Sequence, residues 1–148
     1  MQDVYRELID ALSETPQQLV ALAPEAEGAP RSNEHWGLAE IVAHLVDVER
    51  LYRGRIQEIL AREGAYLRRF DPDRAAREHD YASKDLHAVL DEFAHERGET
   101  LSLLMNLALK DWERTGIHDE WGEVSVEDLV ERLVDHDAAH LRQARGES

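Results

Sequence analysis

Two histidines on one predicted helix are the residues of this sequence best placed to hold a metal ion. The segment DHDAAH puts His136 and His140 four positions apart, so their imidazoles lie on the same helical face. Imidazoles on adjacent turns can bind one divalent cation. The spacing also fits the alternative of two half-buried polar side chains that bind no ligand, because such pairs occur often on helices.

A third histidine has a comparable position on another predicted helix. His44, in EIVAHLVDVE, borders the apolar stripe of its helix, as His136 and His140 border theirs. An imidazole at such an edge costs free energy unless its ring nitrogens are bonded, and a metal with an acceptor behind the ring satisfies both nitrogens. We therefore take the three histidines as candidate metal ligands. Asp47 and Asp137 are the candidate acceptors behind the rings.

Three imidazoles around one cation would form a catalytic kind of site. They leave at least one coordination position open, and a cation there lowers the pKa of a bound water or deprotonates a bound thiol. Zn²⁺ and Ni²⁺ suit imidazole ligands, while Mn²⁺ and Fe²⁺ stay open as alternatives because the sequence does not fix the coordination geometry. The chain has no cysteine, so thiol chemistry requires a thiol from another molecule.

Two other kinds of site are not supported. Glu92-x-x-His95 has the form found in carboxylate-bridged di-iron bundles, but such sites need a second Glu-x-x-His motif, which this sequence lacks. Nucleotide-binding loops and the motifs of serine nucleophiles are also missing. A single metal ion is therefore the one catalytic arrangement that the sequence offers.

The acidic composition argues against nucleic acid as a partner. The 148 residues include 17 Lys and Arg against 32 Asp and Glu, a formal net charge of −15, with no basic stripe interleaved with aromatic residues. The N-terminus has no apolar signal segment, and no apolar stretch approaches the ~20 residues of a membrane span. We therefore expect a cytoplasmic protein that acts on a small molecule and binds neither membranes nor nucleic acids.

Four segments with a helical repeat of apolar residues must position the histidines. No segment shows a sustained period of two, so we predict an all-α fold, a four-helix bundle that forms one domain over residues 1–148. The predicted helices are 3–23, 37–62, 83–110 and 125–145, the predicted loops are 24–36 and 111–124, and the long connection 65–82 contains a short helix opened by Asp71-Pro72.

Caps and breakers locate the ends of these helices. Pro16 predicts a kink in the first helix, or a restart with Thr15 as N-cap. Gly37 precedes the second helix as a tolerated N-cap, and Gly64 ends it. Ser125 begins the fourth helix with a capping box of the form Ser-x-x-Asp.

Positive charge is concentrated in one segment of the acidic chain. Residues 50–77 contain eight arginines against four acidic residues, a local net charge of +4. Arg53 and Arg55 belong to the helix that carries His44 and are candidates for binding an anionic substrate. The alternative is a solvated face, or a dimer contact opposite the acidic fourth helix.

Three tryptophans border the predicted helices. Trp36 and Trp112 lie beside helix ends, where aromatic side chains in small bundles commonly cover the core. We interpret both as lids over the core. For Trp121 the sequence does not distinguish a position in the core from one at a pocket.

The ordered series of these segments resembles the DinB-like (DinB/YfiT-like) family of four-helix-bundle proteins. The series consists of HWGLAEIVAHLVDVE with Trp36 ahead of His44, FAHER with Phe93 and Arg97, DWERTGIHDEWGEVSVEDL, and DHDAAHLRQ ending in Gln143. It covers most of the chain.

The resemblance implies a four-helix bundle, often dimeric, in which His44, His136 and His140 hold a divalent metal. It also implies several activities: metal-dependent hydrolysis, or S-transfer and isomerisation with a low-molecular-weight thiol such as bacillithiol or mycothiol. We therefore expect a homodimeric metal-dependent hydrolase or thiol S-transferase, with a non-catalytic dimeric metal-binding or interaction module as the alternative. The family's link to DNA damage concerns induction, a stress response, and implies no DNA binding.

Overall fold

The apolar repeats of the sequence fold into helices, as their periodicity predicts. The structure, a computed structural model, describes residues 3–27 and 36–147. Its helices are α1 (Asp3–Val20), α2 (Ala23–Glu27), α3 (Leu38–Ala61), α4 (Pro72–Glu78), α5 (Leu86–Met105) and α6 (Val126–Ala144). Its strands are β1 (Ala65–Leu67), β2 (Thr115–His118) and β3 (Gly122–Ser125), and 3-10 turns cover Tyr81–Ser83 and Leu109–Glu113.

Helices α1, α3, α5 and α6 form the predicted four-helix bundle. Both α3 and α1 pack against α5 and α6. Buried apolar side chains fill the bundle around Ile56, Leu129 and Trp112 at one end, and around Val42 and Phe93 at the other. This packing encloses α3, the helix that carries His44.

The ends of the two histidine-bearing helices lie where the sequence predicts them. Gly37 is the N-cap of α3, and Gly64 follows its C-terminus with a positive φ of 75°. In the capping box of α6, the backbone N–H of Asp128 donates to Ser125 Oγ at 2.9 Å, and the Ser125 N–H donates to the Asp128 carboxylate at 2.9 Å. These caps are local, which is why the sequence alone could locate them.

Helix α1 corrects one expectation. It runs through Pro16 without a restart, and Thr15 is not an N-cap. The buried Thr15 Oγ1 instead donates to Asp137 Oδ2 on α6 at 2.7 Å, a partner 122 positions away in sequence. The first helix, predicted over 3–23, ends at Val20, and a separate helix, α2, extends to Glu27. The predicted loop 24–36 therefore begins later than expected, and its residues 28–35 lie outside the described part of the chain.

The third long helix is shorter than predicted. Helix α5 covers Leu86–Met105, where the apolar repeat indicated 83–110. Asp85 caps its start by accepting a hydrogen bond from the Ala88 N–H at 2.9 Å. After the helix ends, the chain forms a 3-10 turn that inserts Trp112 fully into the core. The short helix α4 begins at Pro72 behind its N-cap Asp71, as predicted.

A small three-stranded sheet closes one end of the bundle and was not predicted. Strand β1 pairs in parallel with β2, and β2 pairs antiparallel with β3. With three or four residues each, the strands are too short to show a period of two. A Cβ on Gly116 would lie 2.8 Å from the Ala65 carbonyl oxygen, so the pairing of β1 with β2 requires glycine there. The sheet positions His118 and the following turn.

Candidate metal centre

Three histidines from two helices converge on one point inside the bundle. His44 of α3 and His136 of α6 approach with their Nε2 atoms 3.2 Å apart, and the Nε2 atoms of His136 and His140 are 3.1 Å apart. The three ligand atoms all lie within 4.8 Å of one another. Two zinc–nitrogen bonds of about 2.1 Å at a tetrahedral angle separate the nitrogens by about 3.4 Å, so this donor set fits one divalent cation.

Burial keeps two of these imidazoles neutral at physiological pH. His44 is 6% exposed and His136 is half-buried. Desolvation is the main cause that lowers the pKa of His44 to about 3 and that of His136 to about 4, and the neighbouring histidines lower both further. The charge of Arg97 also opposes protonation of His136. A neutral ring retains the lone pair that a cation needs.

The outer nitrogens of the three rings have different environments. His140 Nδ1 lies 2.7 Å from Gln143 Oε1, an acceptor, so this ring carries its proton on Nδ1 and presents the Nε2 lone pair to the other histidines. The Nδ1 atoms of His44 and His136 are buried and have no hydrogen-bond partner among the described residues. A cation bound between the three Nε2 atoms would take one lone pair from each ring.

The two expected carboxylates do not contact the imidazoles. Asp47 accepts a hydrogen bond from the Tyr81 hydroxyl and pairs with His79 Nδ1 at 2.7 Å. Asp137 bonds to Arg97 and Thr15. The position behind a histidine ring is taken by an amide, that of Gln143, and the expectation of Asp47 and Asp137 in this place is corrected accordingly.

A buried ionic network instead connects the helices next to the triad. Arg97 of α5, 1% exposed, donates two hydrogen bonds of 2.8 Å to Glu49 on α3 and two of 2.7 and 2.9 Å to Asp137 on α6. It also donates to the Leu12 carbonyl on α1 at 2.7 Å. Burial acts to lower the pKa of Arg97, but the bonds to both carboxylates raise it above its usual value.

Sequence reasoning did not assign a role to this network. Arg97 appeared only as part of the segment FAHER, and nothing local marked it as buried. The available signal was an arginine in register with the apolar positions Leu90, Phe93 and Leu104 of its helix. A charge at such a position needs buried partners, and these come from three other helices.

A cavity of about 440 Å³ opens beside the triad. His44 and His136 form one part of its wall, and the rest comes from α3, the segment that leads into α4 as far as Pro72, and the end of β2 with the turn that follows it. The lining residues are His44, Val48, Leu51, Tyr52, Arg55, Arg69, Phe70, Pro72, His118, Glu120, Trp121 and His136. The volume suits a small molecule.

The two arginines proposed to bind substrate have separate environments. Arg53 forms an ion pair with Glu96 at 2.6 Å and donates to the Glu96 carbonyl and to Thr100, so it joins α3 to α5. It does not line the cavity, which corrects its expected role. Arg55 is 5% exposed and lines the cavity together with His44 and His136.

The three tryptophans are also distributed differently. Trp112 is fully buried and stacks on Tyr5 with ring centroids 4.3 Å apart, as expected of a core residue. Trp36 packs against the core with its ring centroid 5.4 Å from that of His44, so it contacts one ring of the triad as well. Trp121 stacks on His118 at 3.7 Å and lines the cavity.

None of the helices in the described residues combines the length and the hydrophobicity that a membrane span requires.

Comparisons with known proteins agree with this fold. The sequence matches the family model of the DinB superfamily over residues 2–144. Among solved structures, the fold is similar to that of YfiT from Bacillus subtilis, with a TM-score of 0.80 and 21% sequence identity over 100% of this chain and 91% of YfiT. YfiT is described as a probable metal-dependent hydrolase with an unusual four-helix bundle topology. No curated protein matches the sequence.

Proposed function

The chain belongs to the DinB superfamily, and we propose that it is a metal-dependent enzyme acting on a small molecule. His44, His136 and His140 would hold one divalent cation, with Zn²⁺ or Ni²⁺ favoured by the all-imidazole donor set and Mn²⁺ or Fe²⁺ as alternatives. The observation that carries the proposal is the convergence of three Nε2 atoms beside a 440 Å³ cavity that two of the three histidines, His44 and His136, line. A cation bound there would lower the pKa of a coordinated water or thiol and so supply a nucleophile at neutral pH.

The surrounding residues prepare the imidazoles for this role. Burial and the charge of Arg97 keep His136 neutral, so a proton does not compete for its lone pair. Gln143 fixes the tautomer of His140 and the orientation of its ring. The Arg97 network holds α3 and α6 together beside the triad. These contacts allow two separate helices to present three nitrogens at one point.

Hydrolysis and thiol transfer are the two reactions that fit this site. Hydrolysis is favoured by the similarity to YfiT, which is described as a probable metal-dependent hydrolase. Thiol transfer requires an exogenous thiol, because the chain has no cysteine. In either reaction, the cavity beside the triad would hold the small-molecule substrate.

Metal analysis combined with an activity panel tests the proposal. Purified protein should contain about one divalent metal per chain, and chelation should abolish turnover. The panel would contain aryl esters and anilides without thiol, and aryl halides with a low-molecular-weight thiol. Turnover without thiol identifies a hydrolase, and turnover only with thiol identifies an S-transferase.

Two histidine substitutions distinguish the loss of a metal ligand from the general effect of removing a histidine. His136→Ala should lose both metal and activity, whereas His95→Ala, which removes an exposed histidine of α5, should retain both. A chain that binds metal but turns over no member of the panel would support the alternative of a non-catalytic metal-binding module. Repeated preparations without stoichiometric metal would contradict the proposal. The expected homodimer stays a prediction, which sedimentation velocity can measure.

A further inference from the structure

We infer that Arg55 binds the anionic group of the substrate, and that the substrate is a small organic carboxylate whose apolar body lies between Arg55 and the histidine triad. The inference rests on the proposed function for the position of the reacting group, because it assigns the reaction to the triad end of the cavity. The binding of the carboxylate itself depends on Arg55 and can be measured independently of metal.

Arg55 is a buried cation without a counter-ion among the described residues. One of its atoms, Nη2, donates to the Arg68 carbonyl at 2.5 Å, while its Nε is buried and has no hydrogen-bond partner there. Burial lowers the pKa of this guanidinium, and Glu58 acts on it only through longer-range attraction. Burying an uncompensated charge is costly, which indicates that a ligand supplies the missing anion.

The helix aims Arg55 and His44 at the same cavity. Eleven residues separate them on α3, which corresponds to about three turns, so both lie on one face with their Cα atoms about 16 Å apart. Side chains on a helix lean toward its N-terminus, so the long Arg55 side chain extends in the direction of His44. A ligand held by Arg55 therefore reaches toward the triad.

A second donor and two aromatic rings lie beside the guanidinium. His118 Nδ1 accepts hydrogen bonds from the backbone N–H groups of Glu120 and Trp121 at 3.0 and 3.2 Å, so its neutral ring carries the proton on Nε2. The Arg55 guanidinium lies 5.5 Å from the Tyr52 ring and 5.8 Å from the Trp121 ring. These flat surfaces hold the guanidinium fork in place without neutralising its charge.

The other residues that line the cavity determine which kind of substrate body fits beside the carboxylate. Val48, Leu51 and Phe70 give the cavity an apolar wall. The other charged groups of the wall, Arg69 and Glu120, form an ion pair with each other at 3.1 Å. Among the lining residues Arg55 therefore carries the one unpaired positive charge; the exposed Arg132 lies outside the lining, with its guanidinium 3.6 Å from the Trp121 ring. One such charge beside an apolar wall favours a monoanionic carboxylate over a dianionic phosphate, although the guanidinium fork can bind either group.

Binding of matched probes tests this assignment. The probes are 4-phenylbutanoate, its neutral amide 4-phenylbutanamide, and phenethyl phosphate, each titrated calorimetrically into the metal-free and the zinc-loaded full chain. We expect the carboxylate to bind both forms at least about tenfold more tightly than the amide, and to bind the metal-free form more tightly than the phosphate does.

Substitutions locate the binding group. Arg55→Met should weaken carboxylate binding at least about tenfold and leave amide binding unchanged, with Arg55→Lys intermediate because a lysine lacks the fork. Arg53→Met is the matched control from the same helix, since Arg53 faces α5, and should bind the carboxylate like wild type. Circular dichroism and zinc stoichiometry would show that each variant is folded and retains the triad.

The outcomes distinguish this inference from the proposed function. Equal binding of carboxylate and amide, undiminished carboxylate binding by Arg55→Met, or tighter binding of the phosphate by the metal-free form would overturn the inference. A protein that binds no zinc but binds the carboxylate through Arg55 would refute the metal-dependent function and leave the anion site standing. A zinc-loaded protein that binds none of the probes would refute the anion site alone.

Discussion

The guanidinium of Arg97 and the carboxylate of Asp137 form two parallel hydrogen bonds of 2.7 and 2.9 Å between α5 and α6. Asp137 directly follows His136, so this buried pair fixes the backbone of α6 at the residue beside a candidate metal ligand. Arg97 holds Glu49 on α3 in the same way. The network therefore connects the two histidine-bearing helices through a third helix.

Removal of one partner from this network should strongly destabilise the protein. Asp137→Ala leaves Arg97 and Thr15 with unmet hydrogen bonds in the core, and we expect a loss of about 3–5 kcal/mol in the free energy of unfolding, measured by urea denaturation. Asp135→Ala, on the exposed face of the same helix, should change stability by less than about 0.5 kcal/mol. Similar values for the two variants would show that the pair contributes little.

Gln143 should tune metal affinity without being a ligand. Its amide oxygen accepts from His140 Nδ1 at 2.7 Å, and such partners behind a ligand typically change metal affinity by about 10- to 100-fold. We expect Gln143→Ala to bind zinc at least about tenfold more weakly in competition with a chromophoric chelator. Gln57→Ala, an exposed change on α3, is the control. Unchanged affinity in Gln143→Ala would exclude this role.

Stability of the chelator-treated protein should fall as the solution is acidified. The pKa values of His44 and His136 are lowered from 6.5 to about 3 and about 4 in the folded state. Below pH 6.5 these histidines are protonated in the unfolded chain but stay neutral in the folded chain. The free energy of unfolding therefore decreases as the pH falls from 6.5 to about 4. Each histidine contributes a slope approaching about 1.4 kcal/mol per pH unit.

The histidine share of this slope can be isolated by substitution. His44→Gln removes one titrating group, so its unfolding free energy should depend less steeply on pH over the same range. Denaturant titrations at several pH values measure both slopes. Identical slopes in wild type and variant would show that His44 is not held neutral by burial.

Two glycines should respond to alanine in opposite directions. At Gly116 an added Cβ would meet the Ala65 carbonyl oxygen at 2.8 Å and Ile59 at 2.9 Å, so Gly116→Ala should cost about 1–3 kcal/mol and disturb the sheet. Gly98 lies within α5 with no atom within 4 Å of a new Cβ, so Gly98→Ala should stabilise the protein by about 0.5–1 kcal/mol. Thermal unfolding of both variants measures the contrast, and stabilisation by Gly116→Ala would contradict the close strand pairing.

The helices of the bundle were predictable because their signals are local. The apolar repeats of α3 and α6 and the caps at Gly37 and Ser125 involve residues within a few positions of one another. The i,i+4 spacing of His136 and His140 belongs to the same class, since it holds on any α-helix. The short strands gave no such signal because each has only three or four residues, and the pairing of β1 with β2 also joins Ala65 with Gly116, far apart in sequence.

The sequence by itself determined the helical elements, the pairing of two histidines on one face and the candidate status of His44. Only the tertiary structure decided which polar residues share the site. Arg53 and Arg55 are two positions apart, and this spacing turns them about 200° from each other around α3. Because α5 packs on the side of Arg53, Glu96 takes that guanidinium, and Arg55 is left facing the cavity. The ion pair between Asp137 and Arg97 was likewise decided by the tertiary structure, because the packing of whole helices determines which residues distant in sequence become partners.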